Sequence, residues 1–335
     1  MPTNHQVRLA ARPTGLPAPS DWDIVEEPIP IVGEGEFVVA VSHLSLDPAM
    51  RGWMNAGASY IDPVEVGDVM RAAGVGRVIA SEHPGFPVDA HVYGTFGVQE
   101  YALSNGAGAL VVDPSIAPVT TYLGTLGMTG MTAYFGLLDV AALKEGETVV
   151  VSGAAGAVGS VAGQIARIKG AGRVIGIAGG EEKCRWLTDE LGFDAAIDYK
   201  AEDVRRELRT AAPDGVDVYF DNVGGEILDA VLTRLARGAR IVICGAVSQY
   251  NATDGVRGPA NYLSLLVARA SMIGMVVFDY APRFRGAAAE IAGWLADGSL
   301  ISREDVVEGG VSAFPEALLK LFSGENVGKL VLKVA

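Results

Sequence analysis

Between residues 148 and 277, short β-branched runs alternate with stretches of helical period, and this alternation limits the possible folds more than any other feature of the chain. Strands are expected at 148–152, 173–178, 195–198, 216–220, 239–243 and 271–277. Helices are expected between them at 158–169, 181–191, 202–211, 226–236 and 261–269, with another at 283–297. Parallel neighbours need long crossovers, and crossover helices cover both faces of the sheet they connect. The pattern therefore predicts an α/β fold with a doubly wound parallel six-stranded sheet, a whole Rossmann unit.

The first turn of that unit carries chemistry. Val149, Val150 and Val151 suit a buried strand, and Val158, Val161, Ala162, Ile165 and Ile168 recur at helical spacing. Between them lies Ser152-Gly153-Ala154-Ala155-Gly156-Ala157-Val158-Gly159. Gly156 would let the backbone approach a pyrophosphate, and Gly159 would let the helix pack close to the strand. The helix N-terminus would add free N–H groups and a positive dipole end. Ala154 stands where the G-x-G-x-x-G fingerprint has its first glycine, so the strand before and the helix after must support the reading.

The end of the second strand discriminates between dinucleotides. An NAD-type site places Asp or Glu there, about 20 residues past the glycines, to bind the ribose 2′-hydroxyl. Here that end is Gly179-Gly180 followed by Lys183, which leaves room and supplies a cation for a 2′-phosphate. This favours NADP(H). Glu181 and Glu182 oppose the inference unless they serve as acidic residues at a helix start.

The chain of 335 residues is long enough for two domains, and half of it is apolar. Its formal charge of −14 argues against nucleic acid or an anionic membrane as partner and favours a small-molecule substrate. There is no apolar run of spanning length, and the N-terminus lacks a basic and an apolar signal region, so a cytoplasmic protein is expected. Two cysteines, Cys184 and Cys244, and four scattered histidines give no disulfide framework and no zinc-ligand spacing. No metal site is expected, and His43 reads as a strand residue.

Before residue 120 the texture is short β runs at 22–25, 37–41, 74–79 and 98–103, broken by Pro and Gly. Leu44 to Ser45 ends a strand, Pro48 starts a turn or short helix, and Tyr60 follows in a loop. Residues 120–143 read as helical with an interruption at Thr129-Gly130. A helix at 314–322 and a strand at 329–334 close the chain in a piece too small to fold alone. Domains are therefore expected at 1–122, 123–298 and 299–335, the last completing the first.

Several long motifs occur together in order: Leu46-Asp47-Pro48-x-Met50-Arg51, Gly127-Met128-Thr129-Gly130-x-Thr132-Ala133-Tyr134-Phe135-Gly136, Ala154 to Gly159, Tyr219-Phe220-Asp221-Asn222-Val223-Gly224-Gly225, Cys244-Gly245-Ala246 and Asn326-x-Gly328-Lys329. By this set the chain resembles the zinc-independent medium-chain dehydrogenase/reductase superfamily, in its prostaglandin reductase, 2-alkenal reductase and curcumin reductase branch. The resemblance implies a GroES-like, partly β catalytic domain beside the Rossmann domain, a homodimer, and NADPH-dependent reduction of the C=C bond of an α,β-unsaturated ketone or aldehyde. On matching positions it implies that Ala154, Ala155, Gly156 and Ala157 hold the pyrophosphate and that Lys183 and Tyr199 meet the 2′-phosphate. Asn222, Cys244, Gly245, Ala246, Ser248, Tyr250, Met275, Val276, Val277 and Asn326 would line the rest of the cofactor, with Met128 near the nicotinamide. Ala49 replaces a tyrosine common in relatives, which alters the expected pocket.

In such a reaction negative charge develops on the carbonyl oxygen, and a hydroxyl or N–H must stabilise it. Tyr250 and Tyr60 are the candidate catalytic residues. Two alternatives stand beside this reading: an NADPH:quinone reductase of the same superfamily, and a non-catalytic NADP-binding protein. The apolar stretch 272–278 could extend a sheet across a two-fold axis.

Overall fold

The structure, a computed structural model, describes residues 3–57 and 59–334. It divides into two compact units, one formed by Met1–Gly124 with Glu304–Ala335 and the other by Thr125–Arg303.

In chain order the first unit contributes strands β1 (Thr3–Leu9), β2 (Trp22–Pro28) and β3 (Phe37–Ser45), helix α1 (Met50–Trp53), then β4 (Ala73–Ser81), β5 (His91–Thr95), β6 (Tyr101–Ser104) and β7 (Leu110–Val111). The second unit runs α2 (Met128–Phe135), β8 (Thr148–Ser152), α3 (Ala157–Ile168), β9 (Arg173–Ala178), α4 (Glu181–Arg185), β10 (Ala195–Asp198) and α5 (Val204–Ala211). It continues through β11 (Val216–Asp221), α6 (Gly225–Leu232), β12 (Leu235–Ile243), α7 (Leu263–Ala268), β13 (Ser271–Gly274) and α8 (Phe284–Ala296). The chain then returns to the first unit with β14 (Glu304–Val307), α9 (Phe314–Ser323) and β15 (Lys329–Lys333).

The first unit is mostly β. A seven-stranded sheet has the order β14-β15-β3-β4-β5-β7, with β6 also on β3, and β1 pairs with β2 in a separate ribbon. β15 lies antiparallel to β3, so the return segment becomes part of that sheet. Its helix seals the same core, because Phe314, Ala317 and Leu318 are buried with Phe37, Leu44, Leu46, Met50 and Met54. The Trp22 and Phe314 rings meet edge to face at 5.2 Å. His43 sits within β3, where burial first and the neighbouring Lys333 charge second push its imidazole below its ordinary pKa.

In the second unit the strand order is β10-β9-β8-β11-β12-β13, every pair parallel. The direction of winding reverses between β8 and β11, and in such sheets ligands bind beyond the carboxyl ends of the strands at that point. β8, β9 and β10 lie at the expected positions. α3 turns Val161, Ala162 and Ile165 to the sheet, as its 3.6-residue period requires.

Three local expectations are corrected. Thr129-Gly130 does not interrupt a helix but lies within α2, and Gly130 reflects crowding, since a Cβ there would be 1.8 Å from Thr125 O. The last strand of the second unit ends at Gly274 rather than 277, and residues 277–283 coil into a short 3₁₀ segment. The strand expected at 98–103 is Tyr101–Ser104. Among the described residues no helix is long and apolar enough to cross a membrane.

Candidate cofactor site

β8 ends on Ser152, and the chain turns at Gly153, whose φ of +56° suits glycine. The turn is closed by Gly156 N donating to Gly153 O at 2.9 Å and anchored to β9 by Ala154 N donating to Ile177 O at 3.1 Å. Gly156 is the N-cap residue of α3, and no side chain caps the helix. The first N–H groups of the helix are therefore not occupied by a cap and face the carboxyl end of the sheet, as an anion cradle needs. Ala154, in place of the first fingerprint glycine, is fully buried. β9 accommodates it: a Cβ on Gly176 would lie 3.0 Å from Ala154 Cβ and 2.6 Å from Leu187 Cδ1. The room that the fingerprint provides in its first glycine is provided here by a glycine one strand away.

A second turn, at the end of β11, faces the first. Asn222 donates its backbone N–H to Ser152 Oγ at 2.9 Å and its amide Nδ2 to Ser152 O at 2.7 Å. Asp221, 1% exposed, is the hub. Its Oδ1 accepts from Ser152 Oγ and Tyr219 OH at 2.8 Å each, from Gly224 N at 2.9 Å and from Val223 N at 3.0 Å. Its Oδ2 is buried without a hydrogen-bond partner. Burial, and next the Asp221 charge, push the Tyr219 phenol well above its ordinary pKa.

The segment after β12 is laid over that turn by backbone hydrogen bonds. Cys244 N and Gly245 N donate to Asp221 O at 2.9 and 3.1 Å, Val247 N to Asn222 O at 3.3 Å, and Ser248 Oγ to Val223 O at 2.6 Å. Tyr250 folds back so that its hydroxyl accepts from Ala246 N at 3.2 Å. Asn222, Cys244, Gly245, Ala246, Ser248 and Tyr250 thus form one group. Met275 N donates to Ile243 O at 3.2 Å, which places Met275, Val276 and Val277 beyond the end of β12's neighbour β13. Met128 opens α2, its carbonyl accepting from Thr132 Oγ1 at 2.8 Å. Burial first and Asp221 second push the Cys244 thiol up to about 12, and burial pushes Cys184 up to about 11, so neither is a thiolate at neutral pH.

At the end of β9, Gly180 adopts φ +102° and donates its N–H to Asp198 Oδ1 at 2.8 Å. Lys183 lies on α4, and Tyr199, 44% exposed, follows β10. Glu181 and Glu182 occupy the first turn of α4, and Glu181 pairs with Arg185 at 3.7 Å. They are helix-start acids, the second of the two readings their position allowed.

Tyr60 and Asn326 belong to the first unit. Trp53 Nε1 donates to Tyr60 OH at 3.3 Å, and Asn326 Nδ2 donates to Gly328 O at 3.1 Å. There the structure also joins two of the sequence motifs through a pair that sequence reading missed. Lys329, 3% exposed, donates its Nζ to Leu46 O at 2.7 Å and Asp47 Oδ1 at 2.8 Å, and Ser45 Oγ donates to the other Asp47 oxygen. Burial, then the Asp47 charge, push the Tyr93 phenol up to about 12. The Ser152–Asp221 hub was missed too, although an Asp closing a strand before Asn-Val-Gly-Gly is a signal for a carboxyl that gathers turn N–H groups.

NADPH fits these residues. The uncapped start of α3 would take the pyrophosphate, the turn at Gly179-Gly180 would take the adenosine end, and the Asn222 turn with residues 244–250 would take the nicotinamide ribose end.

The comparisons agree with that fit. Residues 5–112 match the family model described as the N-terminal domain of oxidoreductase, and residues 157–293 match the model described as zinc-binding dehydrogenase. Among the described residues no group of three or more His, Cys, Asp or Glu side chains is placed to hold a metal ion. The NADPH-dependent curcumin reductase of Escherichia coli is 41% identical over 99% of this chain and 97% of its own. The NADP-dependent 2-alkenal reductase of Nicotiana tabacum is 40% identical over 99% and 98%. The crystal structure of CurA from Vibrio vulnificus in complex with NADPH superposes with a TM-score of 0.93 at 44% identity, covering 99% of both chains. By sequence, fold and cofactor architecture the chain belongs to the zinc-independent branch of the medium-chain dehydrogenase/reductase superfamily, as an NADP-dependent oxidoreductase.

Proposed function

We propose that the protein reduces the carbon–carbon double bond of α,β-unsaturated aldehydes and ketones. The observation that supports this most is the full-length similarity to a 2-alkenal reductase, a 2-alkenal being an α,β-unsaturated aldehyde, combined with a tyrosine hydroxyl held in the 244–250 segment proposed to line the cofactor. NADPH, when bound, supplies the hydride that the β-carbon of the substrate takes up. Charge then collects on the carbonyl oxygen, and the chain's task is to stabilise it. Tyr250 is the proposed donor: accepting from the Ala246 N–H polarises its own O–H, since hydrogen bonds in series strengthen one another. Tyr60 in the first unit is the second proposed donor. A phenol O–H is also a group able to protonate an enolate at the α-carbon.

One such donor contributes about 3 kcal/mol to the transition state. Tyr250→Phe is therefore expected to lower kcat for 2-hexenal on the order of a hundredfold with little change in NADPH affinity. Full turnover in both Tyr250→Phe and Tyr60→Phe would remove tyrosines from the role. Product identification settles the reaction: a saturated aldehyde supports the proposal, hydroquinone from a para-quinone alone moves the protein to the quinone reductases, and NADPH binding without any product leaves a non-catalytic binder.

The protein is further proposed to be a cytoplasmic homodimer. β13 pairs only with β12 and leaves its other edge without a strand among the described residues, so its backbone could pair with the same edge of a second copy. Light scattering should give twice the mass of one 34.8 kDa chain, and a monomer at micromolar concentration would end this proposal.

A further inference from the structure

We propose that Lys200, acting with the absent side chain at Gly179, is a specificity-determining residue for the 2′-phosphate of NADPH. The inference deepens the NADPH reading of the site and rests on it.

In a dinucleotide-binding fold the residue just past the second strand faces the adenosine ribose. β9 ends at Ala178, and that residue is Gly179. A Cβ built on Gly179 would lie 2.9 Å from Lys200 Cε, 2.9 Å from Tyr199 Cε1 and 3.0 Å from Tyr199 Cζ. Two side chains from the turn after β10 therefore lie over the backbone of the turn after β9. The sheet places them there, because β10 runs parallel to β9 with Asp198 level with Ala178. Asp198 then ties the turns together, its Oδ1 accepting from Gly180 N at 2.8 Å and Lys200 N at 3.0 Å. A carboxylate at 179, the group that selects NADH elsewhere, would push both side chains aside and would repel a 2′-phosphate.

The charge balance calls for a second cation. Around this turn stand Glu181, Glu182, Asp198 and Glu202. Glu181 pairs with Arg185, while Asp198 accepts the two backbone N–H groups and Glu202 accepts Asp198 N at 2.9 Å. Against this background Lys183 alone would face a dianionic phosphate with a net acidic surround. Lys200 is exposed, and its ammonium forms no ion pair with any described residue. NADH carries a hydroxyl at the position of the phosphate, so a contact with Lys200 should serve NADPH only.

The test is fluorescence titration of the full chain with NADPH, NADH and adenosine 2′,5′-bisphosphate. Lys200→Ala should weaken NADPH and the bisphosphate about tenfold and NADH less than twofold, and Lys200→Glu should weaken the first two further. Lys200→Arg should restore most of the affinity. Gly179→Ala, which pushes Tyr199 and Lys200 aside without altering charge, should also weaken NADPH selectively. Equal losses for NADPH and NADH, or no loss for the bisphosphate, would overturn the proposal. A wild-type protein that binds NADPH tightly yet reduces no enone would instead defeat the reductase reading and leave this one standing.

Discussion

Gly159→Ala is expected to weaken NADPH binding on the order of a hundredfold, although alanine is the better helix former by about 1 kcal/mol. The helix gain is outweighed by the approach of α3 to the turn that precedes it. A Cβ on Gly159 would lie 2.3 Å from Gly153 O and 2.8 Å from Ala154 Cα, both backbone atoms that no rotamer change can move. Relief requires a shift of about 1 Å in the turn, and a misplacement of that size costs about a hundredfold where geometry carries the function. Gly153 O also accepts the Gly156 N–H at 2.9 Å, so the shift opens the turn that presents the helix N-terminus. Gly163→Ala provides the control on the same helix. Its Cβ would meet the Phe193 ring at 1.9 Å, a clash that lowers the melting temperature without touching the turn. Titration with NADPH separates the two: wild-type affinity in Gly159→Ala would mean that this turn is not the anion cradle.

The same contact shows what sequence can and cannot reveal. β8, β9 and β10 were legible to the residue because each is a β-branched or small-apolar run bounded by glycine, aspartate or a helix start. The parallel, doubly wound sheet followed from the alternation, since right-handed crossovers leave few topologies. Glycines were harder. Gly130 looks like a helix breaker, yet it sits inside α2 because Thr125 O comes within 1.8 Å of where its side chain would be. Gly176 reads as a flaw in a strand, yet it makes room for Ala154 and Leu187. In both positions the cause is a neighbour brought close by the fold, and nothing in the local sequence records it.

The candidate site divides along the same line. Residues that share a turn, such as 154–157 or 244–250, were legible as groups because the chain itself holds them together. Pairs that meet only through the sheet were not. Ser152 and Asp221 are 69 positions apart and meet because β8 and β11 are neighbours at the switch point. Lys329 and Asp47 are 282 positions apart and meet because β15 returns beside β3. Each pair lies inside or at the edge of stretches that the sequence singles out, but the stretch names the residues and the topology makes the bond.

That distinction predicts the outcome of changing Asp221. Asp221→Ala would strand Ser152 Oγ–H, Tyr219 O–H and the Val223 and Gly224 N–H groups in a site that is 1% exposed. An orphaned buried donor costs about 1–3 kcal/mol, and with relaxation the total is expected to be about 4 kcal/mol. The same change should weaken NADPH, because the Asn222 turn and the 244–250 segment both hang on this residue, the latter through Asp221 O. Asp221→Asn is the more searching variant. It can keep a carbonyl oxygen at Oδ1 and put its amide nitrogen where Oδ2 now has no partner, so the four donors retain an acceptor and lose only the assistance of charge. It should therefore fall about 1–2 kcal/mol below wild type, well above the alanine variant. Urea denaturation midpoints read both, with NADPH titration alongside. An alanine variant as stable as wild type would show that water or a rearranged turn takes over all four donors. An asparagine variant as weak as alanine would show instead that the charge on Asp221, rather than the acceptor it offers, holds the two turns together.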